Sequence, residues 1–229
     1  MPLCLRGEKD FKKIMLKVGL TGGIASGKSV VGEMLVTLGA HLAQADRIAH
    51  ALMQPGEAVY NQVVRQFGRE ILSPDGSINR AKLAEVAFGP PTLPAGTRAS
   101  RVLELNRIVH PVVIRSQNEW MQEVARQDPH AVAVVEAALI LEAEAGDHFD
   151  RLLVVTCHPE QRVARFAARQ KMDVEAARKE VERRMAAQLP DQEKIKAADY
   201  VIDNSGTLEQ TREQVRQVWE KLRSEASKH

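Results

Sequence analysis

Residues 14–29 read IMLKVGLTGGIASGKS: an apolar run, a glycine-rich turn and the start of an amphipathic stretch, in that order. The segment from Gly22 and Gly23 to Ser29 matches G-x-x-x-x-G-K-[ST], in which backbone N–H groups turn inward around phosphate oxygens. We predict a phosphate-binding loop between a strand and a helix. Lys28 would reach the β- and γ-phosphates, and Ser29 would help to hold Mg²⁺. The flanking pattern disfavours the alternative, a glycine-rich turn with an exposed lysine.

Apolar runs of strand length alternate with amphipathic stretches of helix length. Such alternation predicts an α/β fold, a three-layer αβα arrangement around a mainly parallel five-stranded sheet. The helix after the first run is expected to end at Gly39, a C-terminal cap. The further candidate strands lie at 40–45, 131–135, 151–156 and 200–202. We expect the nucleotide-binding core to comprise residues 14–52, 128–158 and 190–229.

Two stretches depart from this alternation and carry helix patterns without a convincing strand. Residues 53–127 are punctuated by turn sequences at 55–56, 73–76 and 89–96, and we predict a helical insertion there, between two strands of the sheet. Residues 159–189 form a second helical stretch that ends before Pro190, and we predict a lid. The last helix is expected to begin at Thr207, because Gln210 three residues later completes a capping-box pattern.

The chain has 229 residues, of which 44% are hydrophobic and 27% charged. This length suits one large domain, or one domain that carries an inserted subdomain. Thirty-two Lys and Arg residues against 30 Asp and Glu residues leave a net charge of +2, and aromatic residues make up only 4%. We expect no nucleic-acid or membrane partner, because a broad basic surface and a set of stacking rings are both missing.

The cysteine content and the N-terminal sequence both favour a cytoplasmic protein. Cys4 and Cys157 are too few for a disulfide framework and fit a reducing compartment. Charges occupy the place of a signal-peptide apolar region, and no apolar run reaches the ~20 residues of a membrane span. We interpret residues 1–13 as a disordered leader, and Met15 is an alternative start.

Asp46 lies at the end of the second candidate strand, beside the strand that leads into the phosphate-binding loop. A carboxylate there can position an acceptor hydroxyl and take its proton during phosphoryl transfer. The alternative is that Asp46 caps the helix that follows, and the two roles are compatible. Glu136 ends another candidate strand and could reach Mg²⁺ through water, or could cap the next turn. The histidines are scattered and show no zinc-site spacing.

The segment 162–184 contains eight basic and four acidic residues, a local excess of +4. Arg162, Arg165 and Arg169 share one helix face by their spacing. Arginines delivered by a closing segment stabilise the charge of a transferring phosphoryl group and exclude water. A solvated basic face is the alternative for most of these residues. Arg165 is our first candidate for a catalytic arginine, and Arg169 is the second.

The sequence has neither a guanine-reading N-K-x-D pattern nor an S-G-G-Q transporter signature, so a small-molecule kinase is the simplest interpretation. One alternative is a kinase of another small metabolite or nucleotide. Another is a nucleotide-binding regulatory protein without catalysis. Asp46 and the lid arginines argue against the latter, since binding alone requires neither.

Five segments together resemble the dephospho-CoA kinase family, over about residues 16–222: GLTGGIASGKS, ADRIA, the His110-Pro111 step, RVARFAARQ and ADYVIDNSG. The resemblance implies a nucleoside-monophosphate-kinase-like fold with a helical CoA domain and a lid. It implies transfer of the ATP γ-phosphoryl group to the ribose 3′-hydroxyl of dephospho-CoA, with Mg²⁺, in the last step of coenzyme A synthesis.

The resemblance also implies roles for individual residues. Asp46 would be the catalytic carboxylate, Arg165 and Arg169 would be lid arginines, and His110 would lie on the CoA side. The segment Asn204 to Gly206 would lie near the adenine. The ATP phosphates would be bound by Ala25, Ser26, Gly27, Lys28, Ser29 and Val30.

The chain departs from the family pattern at three positions. Gln44 occupies a position that is commonly Asp, which leaves open whether it shares a role with Asp46. Arg162 occurs where the lid often has Gln, and Gln170 where it often has Asp. These changes make the lid segment more positive than is usual for the family.

Overall fold

The computed structural model describes residues 15–88 and 99–228. The expected leader over residues 1–13 and the turn expected at 89–96 lie outside the described residues. The described residues form five strands, β1 (Leu16–Gly22), β2 (His41–Gln44), β3 (Val132–Glu136), β4 (Arg151–Thr156) and β5 (Tyr200–Asp203). The α-helices are α1 (Lys28–Leu38), α2 (Ala45–Leu52), α3 (Ala58–Phe67), α4 (Arg80–Phe88), α5 (Ala99–Gln127), α6 (Pro159–Gln170), α7 (Val174–Met185), α8 (Asp191–Ala197) and α9 (Leu208–Ala226).

All five strands are parallel and lie in the order β2-β3-β1-β4-β5, which confirms the predicted parallel sheet. Both faces of the sheet are covered. Along β3, Val132 and Val134 pack with α1 and α9, whereas Ala133 and Val135 pack with α5 on the opposite face. Burial on both faces explains why the strands have continuous apolar sequences instead of alternating ones.

Local signals set several helix ends where the sequence predicts them. Gly39 ends α1 with a left-handed φ of 115°, and the N–H of Ala40 bonds back to Leu35. At the start of α9, Thr207 and Gln210 form the expected capping box. No helix within the described ranges is both long and apolar enough to cross a membrane.

Helices α2 to α5 build a second apolar cluster beside the sheet, around Val59, Val63 and Phe67 of α3. The described residues between 53 and 127 are helices and turns, apart from a single antiparallel bridge between Leu72 and Ile78. Helix α5 continues through Pro111 for 29 residues and also reaches the sheet face at β3.

Helices α6 and α7 pack against each other and against Ile24 of the glycine-rich loop. The sequence predicts helical structure over 159–189, with the later basic residues on a second helix, and the structure shows two helices joined at residues 171–173. The short helix α8 was not predicted. It follows Pro190 and leads into β5.

Candidate active site

The glycine-rich loop joins β1 to α1 at the carboxyl edge of the parallel sheet, where ligands bind in open α/β folds. Gly27 has a φ of 99°, a left-handed conformation that favours glycine. A Cβ atom on Gly27 would also lie 2.1 Å from Nδ2 of Asn204. The loop therefore requires glycine at position 27 for its backbone angle and for space.

Lys28, the first residue of α1, turns back over the loop. Its Nζ donates hydrogen bonds to the carbonyl oxygens of Gly22 at 2.9 Å and Gly23 at 3.1 Å. Burial lowers the pKa of Lys28 to about 8, and the nearby carboxylate of Glu136 opposes this shift. The lysine thus has a charge that is poorly solvated in the free protein and that an anionic ligand would stabilise.

A chain of hydrogen bonds links the loop to the two neighbouring strands. Ser29 Oγ donates to Oε1 of Glu136 at 2.8 Å, and Gln44 Nε2 donates to Oε2 of the same carboxylate at 2.8 Å. Glu136 lies at the end of β3 and is 9% exposed. Gln44 ends β2 beside Glu136 of β3, and its side chain contacts that carboxylate. Within the described residues no hydrogen bond joins Gln44 to Asp46. Glu136 is engaged with these side chains and does not cap the next turn.

Asp46 is exposed in the first turn of α2. Helix α2 begins at Ala45, so the N-cap position belongs to Gln44, and the alternative role of Asp46 as an N-cap is wrong. Within the described residues no hydrogen bond or ion pair holds the Asp46 carboxylate, although it is near enough to raise the pKa of Lys28. The carboxylate is therefore available to a ligand beside the loop.

The three arginines expected on one face of α6 take different positions. Arg165 is half-buried and donates to the carbonyl oxygens of Ser26 at 3.4 Å and Asn204 at 2.9 Å. Arg169 is exposed, with its guanidinium 5.6 Å from the ring centroid of Phe166. Arg162 is 1% exposed and forms an ion pair with Asp191 of α8, so the solvated-face alternative is wrong for this residue.

Three further basic residues of the lid segment form ion pairs, and one of the partners, Glu160, lies outside the residues 162–184 over which the excess of +4 is counted. Arg178 contacts Glu160 through two hydrogen bonds of 2.8 and 2.7 Å. Arg183 and Arg184 both contact Glu180, and the hydrogen bond from Arg183 lowers the pKa of Glu180 to about 2. The net charge counted over residues 162–184 therefore overstates the positive charge of this helix pair.

The junction between β5 and α9 supports the glycine-rich loop through Asn204. Asn204 is buried, donates from Nδ2 to the Ser26 carbonyl at 2.9 Å, and accepts from the Thr211 hydroxyl at 2.9 Å. Both ends of this side chain are thus occupied by protein groups. Gly206 lies in the exposed turn before α9. The sequence analysis missed the supporting role of Thr211, whose hydroxyl bonds to Asn204 only seven residues earlier in the chain.

The two remaining candidates, Val30 and His110, lie on helices α1 and α5. Val30 is exposed on α1, next to the loop in sequence. His110 lies in α5, immediately before Pro111, and burial lowers its pKa. No hydrogen bond between described residues joins His110 to the loop.

A sequence model of the dephospho-CoA kinase family matches residues 16–210. A dephospho-CoA kinase from Syntrophotalea carbinolica is 41% identical over 88% of this chain and 89% of the relative. A crystal structure of TT1252 from Thermus thermophilus is 30% identical, with a TM-score of 0.73 over 92% of this chain and 99% of that one. A dephospho-CoA kinase from Campylobacter jejuni shares the fold, with 22% identity and a TM-score of 0.57 over 91% of this chain and 98% of that one.

Proposed function

This chain belongs to the dephospho-CoA kinase family, transferases that catalyse the last step of coenzyme A biosynthesis, and we propose how its own residues carry out that reaction. In the proposal, the γ-phosphoryl group of ATP passes to the ribose 3′-hydroxyl of dephospho-CoA. The observation that carries it is the unengaged carboxylate of Asp46 beside the loop that contains Lys28. A protein that only bound nucleotide would need the loop but not this carboxylate.

The triphosphate would lie in the loop from Gly22 to Val30, at the start of α1, where backbone N–H groups and the helix dipole favour anions. Lys28 would leave the carbonyl oxygens of Gly22 and Gly23 and donate to the β- and γ-phosphates. Arg165 already contacts the loop and would stabilise charge on the transferring group. Arg169 would have to move with the lid to contribute.

The oxygen donors beside the loop fit Mg²⁺. Ser29 would bind the ion through its hydroxyl, and Glu136 would bind through a water molecule. Within residues 15–88 and 99–228 no group of three or more His, Cys, Asp or Glu side chains could hold a metal. This agrees with the preference of Mg²⁺ for a few protein oxygens together with waters and substrate phosphates. When bound, the ion would neutralise charge on the phosphate oxygens.

Asp46 would act as the general base. The 3′-hydroxyl oxygen forms a bond to the γ-phosphorus as the bond to the β,γ-bridging oxygen breaks, and ADP leaves with that oxygen. The hydroxyl proton passes to the Asp46 carboxylate. The exposure of Asp46 allows an acceptor to reach it, and its place on α2 orients it from a regular element.

The helices between residues 53 and 127 are proposed to bind the CoA portion of the acceptor, with His110 on that side. Residues 159–189 are proposed to close over ATP, and the segment Asn204 to Gly206 to lie near the adenine. Because the side chain of Asn204 is engaged with Ser26, Asn204 would contribute to nucleotide binding by supporting the loop and through its own backbone. A cytoplasmic location completes the proposal and agrees with the free, buried thiol of Cys157.

The test is incubation with ATP, Mg²⁺ and dephospho-CoA, and in parallel with other hydroxylated metabolites and nucleotides. Equal amounts of CoA and ADP, formed only with dephospho-CoA, are expected. If ADP formed faster with another acceptor, that acceptor would replace dephospho-CoA as the proposed substrate. Absence of any acceptor-dependent ADP would favour the nucleotide-binding regulatory protein.

A substitution tests the role of the carboxylate. Asp46→Asn is expected to lower kcat by about a hundredfold or more, while the Kd for ATP changes little. The matched control is Asp128→Asn at the exposed end of α5, which should leave kcat unchanged. Near-normal turnover by Asp46→Asn would remove Asp46 from the base role.

A further inference from the structure

Arg162 is a buried cation that the proposed reaction does not use. Its side chain is 1% exposed, and two of its three nitrogens have partners. Nε donates to the carbonyl oxygen of Cys157 at 3.3 Å, and Nη2 forms the ion pair with Asp191. Nη1 is buried and has no hydrogen-bond partner among the described residues.

The unpartnered nitrogen lies against the phosphate-binding loop. A Cβ atom built on Gly23 would be only 2.0 Å from Arg162 Nη1, so the guanidinium occupies the space beside the Gly23 backbone. Lys28 Nζ bonds to the Gly23 carbonyl from its own side of the loop. A second polar atom of the loop, Ser26 Oγ, is also buried without a partner.

A buried N–H without an acceptor costs about 1–3 kcal/mol, and it persists where an acceptor is supplied at another stage of function. The acceptor that this loop is built to receive is a phosphate oxygen. Arginine suits that acceptor, because its charged N–H groups form strong hydrogen bonds to phosphate. Asp191 and the Cys157 carbonyl fix the guanidinium, so little entropy is lost when a ligand arrives.

Helix α8 holds this arrangement in place through a second buried ion pair. Lys194 is 0% exposed, and its Nζ lies 2.8 Å from Oε1 of Glu142, which also accepts from the N–H of Leu189 at 3.0 Å. Asp191 lies one turn earlier on the same helix. Helix α8 thus takes part in two ion pairs that each contain a buried cation, through Asp191 at its start and through Lys194 one turn later.

We propose that Arg162 is a fixed triphosphate-binding residue, whose Nη1 donates to an oxygen of the terminal phosphate once Lys28 leaves the loop carbonyls. Asp191 is a positioning residue that acts through Arg162. This inference rests on the proposed ATP site and deepens it, because it predicts that the site distinguishes ATP from ADP. It also assigns a role to the arginine at a position where the family often has Gln.

The test compares the Kd values of ATP and ADP, each with Mg²⁺, by isothermal titration calorimetry without dephospho-CoA. In Arg162→Gln the preference for ATP over ADP is expected to fall about ten- to a hundredfold, the effect of one charged hydrogen bond. Binding of ADP is expected to change by less than about threefold. Arg216→Gln, which breaks an exposed ion pair within α9, should leave both values unchanged.

An equal loss of affinity for both nucleotides would overturn the inference, because it would show that Arg162 only supports the fold. Asp191→Asn keeps an acceptor for Nη2 and removes the compensating charge, so the ATP preference should be retained or higher. An equal loss of affinity for ATP and ADP in Asp191→Asn would contradict the positioning role, because it would show that the ion pair only supports the fold. If Arg162→Gln does not fold, Arg162→Lys should lower the preference several-fold, and an unchanged preference would equally overturn the inference.

The binding experiment separates this inference from the proposed function. If the wild-type protein bound ATP but made no CoA, dephospho-CoA would be excluded as the acceptor, and the proposed role of Arg162 would still hold. A wild-type protein that binds neither nucleotide would overturn both.

Discussion

Asn204→Ala offers a direct test of how the fold supports the phosphate-binding loop. The substitution removes the donor to the Ser26 carbonyl and the acceptor of the Thr211 hydroxyl, both at 2.9 Å in a buried position. The Ser26 carbonyl keeps only the 3.4 Å contact from Arg165, whereas Thr211 still reaches the carbonyl of Thr207 at 3.3 Å. Two lost bonds of about 1 kcal/mol each, with partial desolvation of one carbonyl, predict a loss of about 2–4 kcal/mol.

The loss is measured by urea unfolding of the free protein, and it corresponds to a fall in Tm of roughly 4–16 °C for a chain of this size. The Kd for ATP should also rise, because part of the binding free energy must then order the loop. Thr211→Val removes only one of the two bonds, so it should cost about 1 kcal/mol and be less than additive with Asn204→Ala.

Asn61→Ala is the matched control, since the exposed Asn61 side chain donates to the carbonyl of Glu57, the N-cap of α3. It should change the free energy of unfolding by less than about 0.5 kcal/mol. If Asn204→Ala cost no more than Asn61→Ala, the β5–α9 junction would not support the loop as argued.

Three further predictions follow from the same site. The affinity for ATP should be constant below pH 8 and fall by up to tenfold per pH unit above it, because burial lowers the pKa of Lys28 to about 8 and a neutral lysine must then take up a proton on binding. Lys194→Met should lower the free energy of unfolding by about 3–5 kcal/mol, because it leaves a carboxylate partner uncompensated. Gly27→Ala should abolish measurable ATP binding, because its φ is 99° and the new methyl group would meet a buried amide at 2.1 Å.

Each of these predictions has an internal control. Calorimetry in buffers of different ionisation enthalpy detects the proton that Lys28 takes up above pH 8, and binding without proton uptake would contradict that prediction. Lys196→Met breaks an exposed pair on the same helix as Lys194 and should cost under about 1 kcal/mol. Gly56 also has a φ of 99° but nothing within 4 Å of a built Cβ, so Gly56→Ala isolates backbone strain from the clash at Gly27.

Local patterns carried much of the fold prediction. The glycine-rich loop, the helix end at Gly39 and the capping box at Thr207 depend on residues within a few positions of one another, and the structure confirms all three secondary-structure assignments. The parallel sheet follows from the alternation of elements for the same reason. Such features need no knowledge of distant contacts.

The partners of the arginines on α6 could not be predicted from local patterns. Helical spacing places Arg162, Arg165 and Arg169 on one side of the helix, but it does not say which of them meets a partner. Arg162 is buried because Asp191, 29 residues later, approaches it from a helix too short to have a clear pattern. The role of Asp46 as an N-cap failed for a smaller reason, since α2 begins at Ala45, two residues earlier than an N-cap at Asp46 requires.

The loop motif locates the nucleotide site, but distant residues give that site its shape. The Ser26 carbonyl accepts from Asn204, which is 178 residues away, and from Arg165, which is 139 residues away. Arg165 in turn donates to the Asn204 carbonyl, so the loop, β5 and α6 meet at one backbone oxygen and its neighbours. Because any movement of α6 must change the contacts at Ser26, closure of the proposed lid would change the geometry of the loop. A substitution in the loop should therefore alter lid movement as well as phosphate binding, and the two effects should be separable by measuring ADP release and ATP affinity in the same variant.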